Sequence, residues 1–405
     1  MSTGANDRVV VLSLGMGIDS VALLLRWIVD PTCRPFDLQN LILVTAMTGD
    51  EHPATYHLMQ RYLLPILRRF GVRYVQLCRG GQRAKHRYVV LSDSRATGTM
   101  QMQGPWRLSD EMRSAGTLPS VRRGRRWCSD RAKGEVIDWW VNDNCPAGYI
   151  HVTGYAAEEG RRSRRDAKAR KEKELTRKVV ACQPSYPLMD WGWNREKCAA
   201  YITEVMRRFW QETVIWHRSC CTFCPFQGVA GSRAELVARW RAQPEAAADA
   251  IELERTALRL NKRIGLFGVG RTAQALARDE QLDDALAAAD QREDSLQRWR
   301  LVELRRVFSE KDGDRRAKGR AWRSVRVRAT GTREAMHRKL ERLRGTTVTT
   351  DENGITRAWR TILPAQVETY PAVEWLWVVT PETVVAKQMP GFEAEWTRAH
   401  TQQFC

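Results

Sequence analysis

The stretch VVVLSLGMGIDSVALLLRW, residues 9 to 27, decides how this chain is read. Val9 to Leu12 form an apolar run of strand length, Gly15 and Gly17 mark a tight turn, and Asp19-Ser20 opens an apolar helix. A strand that turns on glycine into a helix gathers backbone N–H groups and a helix N-terminus at one point, an arrangement that holds phosphate.

Working outward, LILVTAM (Leu41 to Met47), VRYVQLC (Val72 to Cys78) and YIHVTG (Tyr149 to Gly154) read as further buried strands. The amphipathic HPATYHLMQRYLLPILRRF and the segment GEVIDWWVNDN read as helices between them. Alternating strands and helices predict an α/β fold with a Rossmann-like, twisted parallel sheet. In such sheets ligands lie beyond the carboxyl ends of the strands, so Ser13 to Ser20, Thr45 to His52 and the residues from Gly154 onward should border one crevice. The polar stretch from Arg79 to Gly116 reads as a long loop or insertion, a candidate lid. From about Arg233 the chain becomes Ala-rich and helical, giving expected domains of 1–230, a helical region 231–300 and a basic C-terminal region 301–405.

Composition bounds the function. The 405 residues carry 43% hydrophobic residues and 16 Trp, as a packed globular protein should. A net charge of +19, from 66 Lys+Arg against 47 Asp+Glu, favours a polyanionic partner, with nucleic acid ahead of an acidic membrane surface. A merely basic enzyme is the alternative. The N-terminus lacks the pattern of a secretory signal, and no run reaches the roughly 18 apolar residues of a membrane span, so the expected location is cytoplasmic. There the ten cysteines suit thiol, metal or redox roles better than disulfides. No G-x-x-x-x-G-K-[ST] is present, and GLFGVG at Gly265 to Gly270 has the wrong spacing and no preceding strand for a dinucleotide fingerprint.

The turn Gly15-Met16-Gly17-Ile18-Asp19-Ser20 resembles the PP-loop S-G-G-x-D-S of the adenine-nucleotide alpha-hydrolase superfamily, without its first Ser and first Gly. Five more segments fall in the order of the phosphoadenylyl-sulfate (PAPS) reductase-like branch. TAMTGDEHPATY resembles D-T-G-x-E-x-P-x-T, with Met47 where an acid is common. RRWCSDRAKGEVIDWW resembles R-x-C-x-x-x-K through Arg126, Cys128 and Lys133. TGYAAEEGRRSRR resembles G-x-R-x-x-E-S-x-x-R, with Ala156 in place of its arginine; YPLMDWGWNREKCAAYI and CCTFCPFQG resemble the P-L-x-x-W segment and its cysteine-rich sequel. The resemblance ends near residue 230.

It implies an ATP pyrophosphatase, most similar in kind to the PP-loop component of bacterial DNA phosphorothioation systems. On this reading Ser13, Gly15, Gly17, Asp19, Ser20, Thr45, Gly154, Glu159 and Arg162 bind ATP and Mg2+, and Asp19, Lys133 and Arg126 are catalytic. Backbone donors in the turn would stabilise departing pyrophosphate. Asp19 equally suits a helix N-cap. Cys220, Cys221 and Cys224, with Cys128 as fourth ligand, suit a [4Fe–4S] cluster, with zinc or metal-free thiols as alternatives. Cys220 could instead be a buried neighbour or a persulfide carrier. Cys33, Cys78, Cys145, Cys182 and Cys198 read as core residues, and Cys405 as a terminal thiol without the tail motif of the reductases.

Residues 305 to 344 hold 15 Lys/Arg and five Asp/Glu, and Trp322 to Arg328 alternates like a half-exposed strand. Arg164 and Arg165, with Arg315, Arg316, Arg320, Arg323, Arg326 and Arg328, are therefore candidate nucleic-acid contacts. Solvated charge or an ion-pair network is the alternative. Expected partners are DNA ahead of tRNA, a cysteine desulfurase as sulfur donor and other modification subunits. The competing functions are adenylyl-sulfate or PAPS reduction, tRNA thiolation, and an inactive nucleic-acid-binding homologue.

Overall fold

The structure is a computed structural model, and it describes residues 8–119, 121–122, 125–227, 233–261, 264–362 and 369–404. The chain divides into two compact units, Met1–Ser109 with Ser120–Thr222, and Asp110–Pro119 with Phe223–Cys405.

The first unit is α/β. Its strands are β1 (Val10–Ser13), β2 (Leu41–Met47), β3 (Arg73–Arg79), β4 (Tyr88–Ser94), β5 (Tyr149–Thr153) and β6 (Cys182–Ser185), in sheet order β4-β3-β2-β1-β5-β6. All pairings are parallel except β3 with β4. Residue alternation sends each strand's side chains to two cores. Val10 and Leu12 join Leu41 and Leu43 against α1 (Ile18–Val29) and its neighbours, while Val11 joins Val44, Val75 and Trp140 on the other face. Burial on both faces is what a parallel sheet requires, and it explains why these strands read as unbroken apolar runs. The stretch expected to be a loop from Arg79 to Gly116 contains β4, paired antiparallel at the sheet edge. Its residues are exposed or half-buried, and its short apolar run Tyr88-Val89-Val90-Leu91 is flanked by polar sequence that masks the strand.

The strand order reverses direction beside β1. The chain steps outward through β2 and β3, then returns to lay β5 on the opposite side of β1. The crevice at this reversal is where open α/β sheets bind ligands.

The second unit begins with helices, as the Ala-rich texture predicts: α2 (Arg233–Ala242), α3 (Pro244–Leu260), α4 (Ala273–Asp279) and α5 (Asp283–Asp294). The α3 helix is buried along most of its length, its small Ala246, Ala247, Ala248 and Ala250 allowing close packing. The remainder of this unit departs from a helical extension. It is a six-stranded sheet of β7 (Trp299–Lys311), β8 (Asp314–Gly331), β9 (Thr347–Thr350), β10 (Thr356–Thr361), β11 (Ala372–Pro381) and β12 (Lys387–Gln388), antiparallel throughout, in the order β9-β10-β11-β7-β8-β12. The β7–β8 hairpin turns on Asp312-Gly313, both at positive φ (51° and 83°), the conformation a two-residue turn needs to match strand twist. Among the described residues no helix is long and apolar enough to cross a membrane.

Candidate functional site

The crevice of the first unit starts at the end of β1. Leu14 N donates to Val44 O (2.9 Å) and Thr45 Oγ1 donates to Leu14 O (2.8 Å), so the loop is stapled to β2 from below. Thr45 also accepts from the Tyr74 hydroxyl at 3.0 Å and is buried, so its hydroxyl supports the loop. Met16 stands at φ 60°, where an L side chain costs roughly 1–2 kcal/mol. Its side chain is only 1% exposed, and burying a Met contributes about 1.5–3 kcal/mol, which offsets the strain.

Gly17 caps α1 without a side-chain hydrogen bond, so the first-turn N–H groups are offered by backbone geometry alone. Ser20 Oγ donates back to Gly17 O (3.3 Å), and Gly15 is exposed at the rim. From the other side of β1, Gly154 closes in. A Cβ there would lie 2.9 Å from both Ser20 N and Ser20 Cα, so only glycine lets the end of β5 approach the helix N-terminus. Ser13 Oγ lies 3.4 Å from His151 Nε2, which is also 2.6 Å from Arg170 Nη2. Burial, followed by the charges of Arg170 and Lys173, holds His151 well below its usual pKa, so this ring is neutral.

Asp19 projects from the first turn of α1 and is gripped by Arg195 (Nη2–Oδ2 3.0 Å, Nε–Oδ1 3.3 Å). Burial raises its pKa against the opposing pull of Arg195. Arg195 also reaches Glu159 at 3.4 Å, and Glu159 pairs with Arg162, whose guanidinium lies 4.9 Å from the Tyr155 ring centre. Asp19, Glu159 and Arg162, all anticipated from sequence, thus form one chain through an arginine that was not. Asp19 acts as an ion-pair partner and not as a side-chain cap.

The loop after β2 supplies a second cluster. Glu51 accepts from the backbone N–H groups of Thr48 (2.9 Å) and Gly49 (3.1 Å), and Lys133 Nζ lies 3.4 Å from its Oε1. Desolvation would lower the Lys133 pKa, but the charge of Glu51 opposes it and the net shift is upward. Lys133 sits in a π-turn, Asp130–Gly134, that begins just after Trp127–Ser129, so Cys128 is on the same helical run. Arg126, exposed, immediately precedes it.

A segment far along the chain joins these parts. Trp216 Nε1 donates to Met16 O (3.0 Å), Ser219 Oγ donates to Gly15 O, and Ser219 N would stand 3.2 Å from a Cβ on Gly17. The same segment then pairs with the β2 loop: His52 N donates to Cys220 O (3.0 Å), Thr222 N to Asp50 O (2.9 Å), and Glu51 bridges Cys221.

The cysteines of the expected ligand set have separate surroundings. Cys221 Sγ lies 3.3 Å from Thr48 Oγ1, whereas Cys220 Sγ is directed at Arg218 O (3.8 Å). Burial, then Glu51, raises the Cys221 pKa well above the ordinary thiol value against the pull of Lys133, which keeps it a thiol. Cys224 lies in the second unit, at the start of the turn Pro225–Gln227. Among the described residues no group of three or more His, Cys, Asp or Glu side chains is placed to hold a metal ion. Cys405 lies outside the described residues.

The candidate nucleic-acid residues divide. Helix Gly160–Leu175 exposes Arg161, Arg164 and Arg165, and only its Ser163 is buried. On the second unit's sheet, Arg326 pairs with Glu393 and Arg328 with Glu303. Arg323 donates to Ala115 O, and burial followed by the neighbouring Arg306 pushes its pKa down to about 10. Arg315, Arg316 and Arg320 remain exposed near the hairpin turn, Arg320 stacked 4.1 Å from the Trp322 ring centre. No family model matches the chain, and neither a curated protein nor a solved structure is significantly similar to it.

Proposed function

We propose that the first unit is an ATP pyrophosphatase of PP-loop type that activates an oxygen of a nucleic acid for replacement by sulfur. The observation that carries the reading is the close approach of Gly154 to Ser20 at the strand reversal, which pairs an uncapped helix N-terminus with a glycine loop at one point. An anion seated there meets first-turn N–H groups and the positive end of α1. The triphosphate of ATP is the ligand, with Asp19 and Glu159 as the carboxylates available to Mg2+ and Arg162 as a cationic neighbour.

The nucleic-acid oxygen attacks the alpha phosphorus, the alpha–beta anhydride breaks and pyrophosphate leaves, its charge met by the loop N–H groups. A persulfide from a cysteine desulfurase then displaces AMP, and a second thiol releases the sulfur-bearing product by taking up the donor's remaining sulfur as a disulfide. The protonated Lys133 provides positive charge beside the β2 loop. The exposed arginines of helix Gly160–Leu175 and of the β7–β8 hairpin give the polyanion its phosphate contacts, with DNA favoured over tRNA.

The internal pairing of Arg326 and Arg328 favours a second reading, adenylyl-sulfate reduction, which needs no polymer. Purified protein incubated with ATP and Mg2+ separates the two. Pyrophosphate release stimulated by DNA or tRNA supports the first, sulfite release from adenylyl-sulfate supports the second, and turnover with none of them leaves a nucleic-acid-binding homologue without activity.

A further inference from the structure

Between α3 and α4 the stretch Ile264-Gly265-Leu266-Phe267-Gly268-Val269, whose glycine spacing fits no dinucleotide fingerprint, forms a small antiparallel hairpin in the second unit. Ile264 and Val269 stand opposite each other across it, and they are 48% and 77% exposed. We propose that this hairpin is a nucleic-acid wedge: the Ile264–Val269 edge enters a base step of duplex DNA while Arg271 meets a neighbouring phosphate. The proposal shares its nucleic-acid partner with the function above and needs nothing of the ATP chemistry.

The hairpin is held still from within. Glu254, a fully buried residue of α3, accepts from Leu266 N (2.7 Å), Ala273 N (2.8 Å) and Gln274 N (3.2 Å). Burial raises the Glu254 pKa against these bonds, so a desolvated carboxylate serves to anchor the loop. Phe267 N donates to Arg271 O (3.1 Å), and a Cβ on Gly265 would lie 2.5 Å from that same oxygen, so only glycine permits the closure. Leu266 is 4% exposed and the Phe267 ring lies 6.2 Å from that of Trp240 on α2. The inner residues are therefore packed and the outer pair is not. A mount this firm leaves little to order when a partner docks.

Size and charge choose the partner. A stable protein interface takes about 800 Å² from each side, and two side chains fall far short of that. One or two aliphatic side chains do suffice as a wedge between stacked bases, where the lost stacking is offset by contacts with the bent duplex. Cross-strand pairing of two β-branched residues gives this edge a stiff, continuous apolar rim. Around it the charge is of one sign. From Asn261 to Arg278 the sequence carries Lys262, Arg263, Arg271 and Arg278 and no Asp or Glu; Lys262 and Arg263 lie outside the described residues. Arg271 is exposed, its Nη2 placed 3.0 Å from where a Cβ on Gly268 would stand, and among the described residues no acid is paired with it. A phosphate beside the wedge thus meets an uncommitted guanidinium.

The test is titration of the full chain into a DNA duplex of about 20 base pairs that carries 2-aminopurine at a central, easily unstacked TA step. Anisotropy of an end label gives the affinity at several salt concentrations, and 2-aminopurine fluorescence reports unstacking. Wild type is expected to bind with a rise in that fluorescence. Ile264→Thr with Val269→Thr keeps the β-branched shape at two exposed positions, so the fold persists, as an unchanged urea midpoint checks. This variant should lose the rise and bind tenfold or more weakly with the same salt slope, because the lost contacts are apolar. Arg271→Gln should instead reduce the slope by roughly 0.9 log unit, one phosphate fewer. Wild-type binding without a rise overturns the wedge, as do wild-type affinity and rise in the double variant. A double variant that changes the oligomeric state in sedimentation overturns it by placing a second copy on this edge. No binding by wild type overturns it together with the nucleic-acid partner proposed above, while pyrophosphate release still reports the ATP chemistry separately.

Discussion

At the scale of single residues, the candidate site rests on positions where one atom decides the outcome. Gly154→Ala would put a methyl group 2.9 Å from backbone atoms of Ser20, which cannot swing aside as a side chain could. A cost of about 1–3 kcal/mol in unfolding free energy is expected, measured by urea denaturation. Gly134 is the control: nothing lies within 4 Å of its added Cβ and its backbone is helical, so Gly134→Ala should stabilise by about 0.4–1 kcal/mol. Equal effects at the two glycines would refute the close approach.

Asp50 gives a pH signature. Burial raises its pKa from 3.8 to about 6, against hydrogen bonding from Ser109 and the charge of Arg107. The folded protein thus holds this proton more tightly than the unfolded chain does. Stability attributable to Asp50 therefore falls as pH rises from about 4 to 6 and is level above that. The difference in stability between the wild type and Asp50→Asn, followed across this range, should change steadily and then flatten; a constant difference would contradict the assignment.

At the scale of elements, the segment Trp216 to Thr222 shows why the site was only partly legible. The turn, Asp19 and Gly154 could be picked out because strand ends and glycine turns leave a local pattern, and Glu159 and Arg162 because their segment resembles a family motif. Trp216, Ser219, Arg195 and Glu51 could not, since their partners lie up to about 200 residues away in the chain or are backbone atoms. Glu51 had the best signal, lying inside a recognised segment. Trp216→Phe keeps most of the buried ring but leaves Met16 O without its donor, at an expected cost of about 1–3 kcal/mol. If the segment braces the loop, this change also weakens ATP binding by calorimetry; unchanged affinity would reduce Trp216 to a packing residue.

The second unit's sheet was hidden for a different reason. Strands β7 and β8 carry Arg305, Arg306, Arg326 and Arg328, which pair with Glu393, Glu374 and Glu303 and so sit on a folded sheet without apolar alternation. Only the stretch around Trp322 to Arg328 kept a strand-like rhythm. The Asp312-Gly313 turn was readable, and its flanking charges masked it.

At the scale of the whole molecule, a net charge of +19 overstates the surface available to a polyanion, because many arginines are tied to acids or carbonyls. Strands β1, β2, β3 and β5 were legible because both their faces are buried and their sequences are mostly apolar between turns, whereas the edge strand β6, Cys182-Gln183-Pro184-Ser185, has no buried residue and gave no such signal. The charge balance pointed to a class of partner but not to a surface. Under the proposed function, the exposed arginines of helix Gly160–Leu175 are the first unit's candidates for phosphate contacts. Replacing Arg161, Arg164 and Arg165 with Gln should shrink the salt dependence of DNA binding by roughly 0.9 log unit for each phosphate no longer neutralised, read from affinities at several salt concentrations. An unaltered slope would show that these arginines contact no phosphate.

The most direct test of the central claim is calorimetric titration of the full chain with Mg2+-ATP. One-to-one binding is predicted in the wild type, with at least a tenfold loss in Gly154→Ala. No heat with the wild type, or undiminished affinity in a folded Gly154→Ala protein, would contradict it.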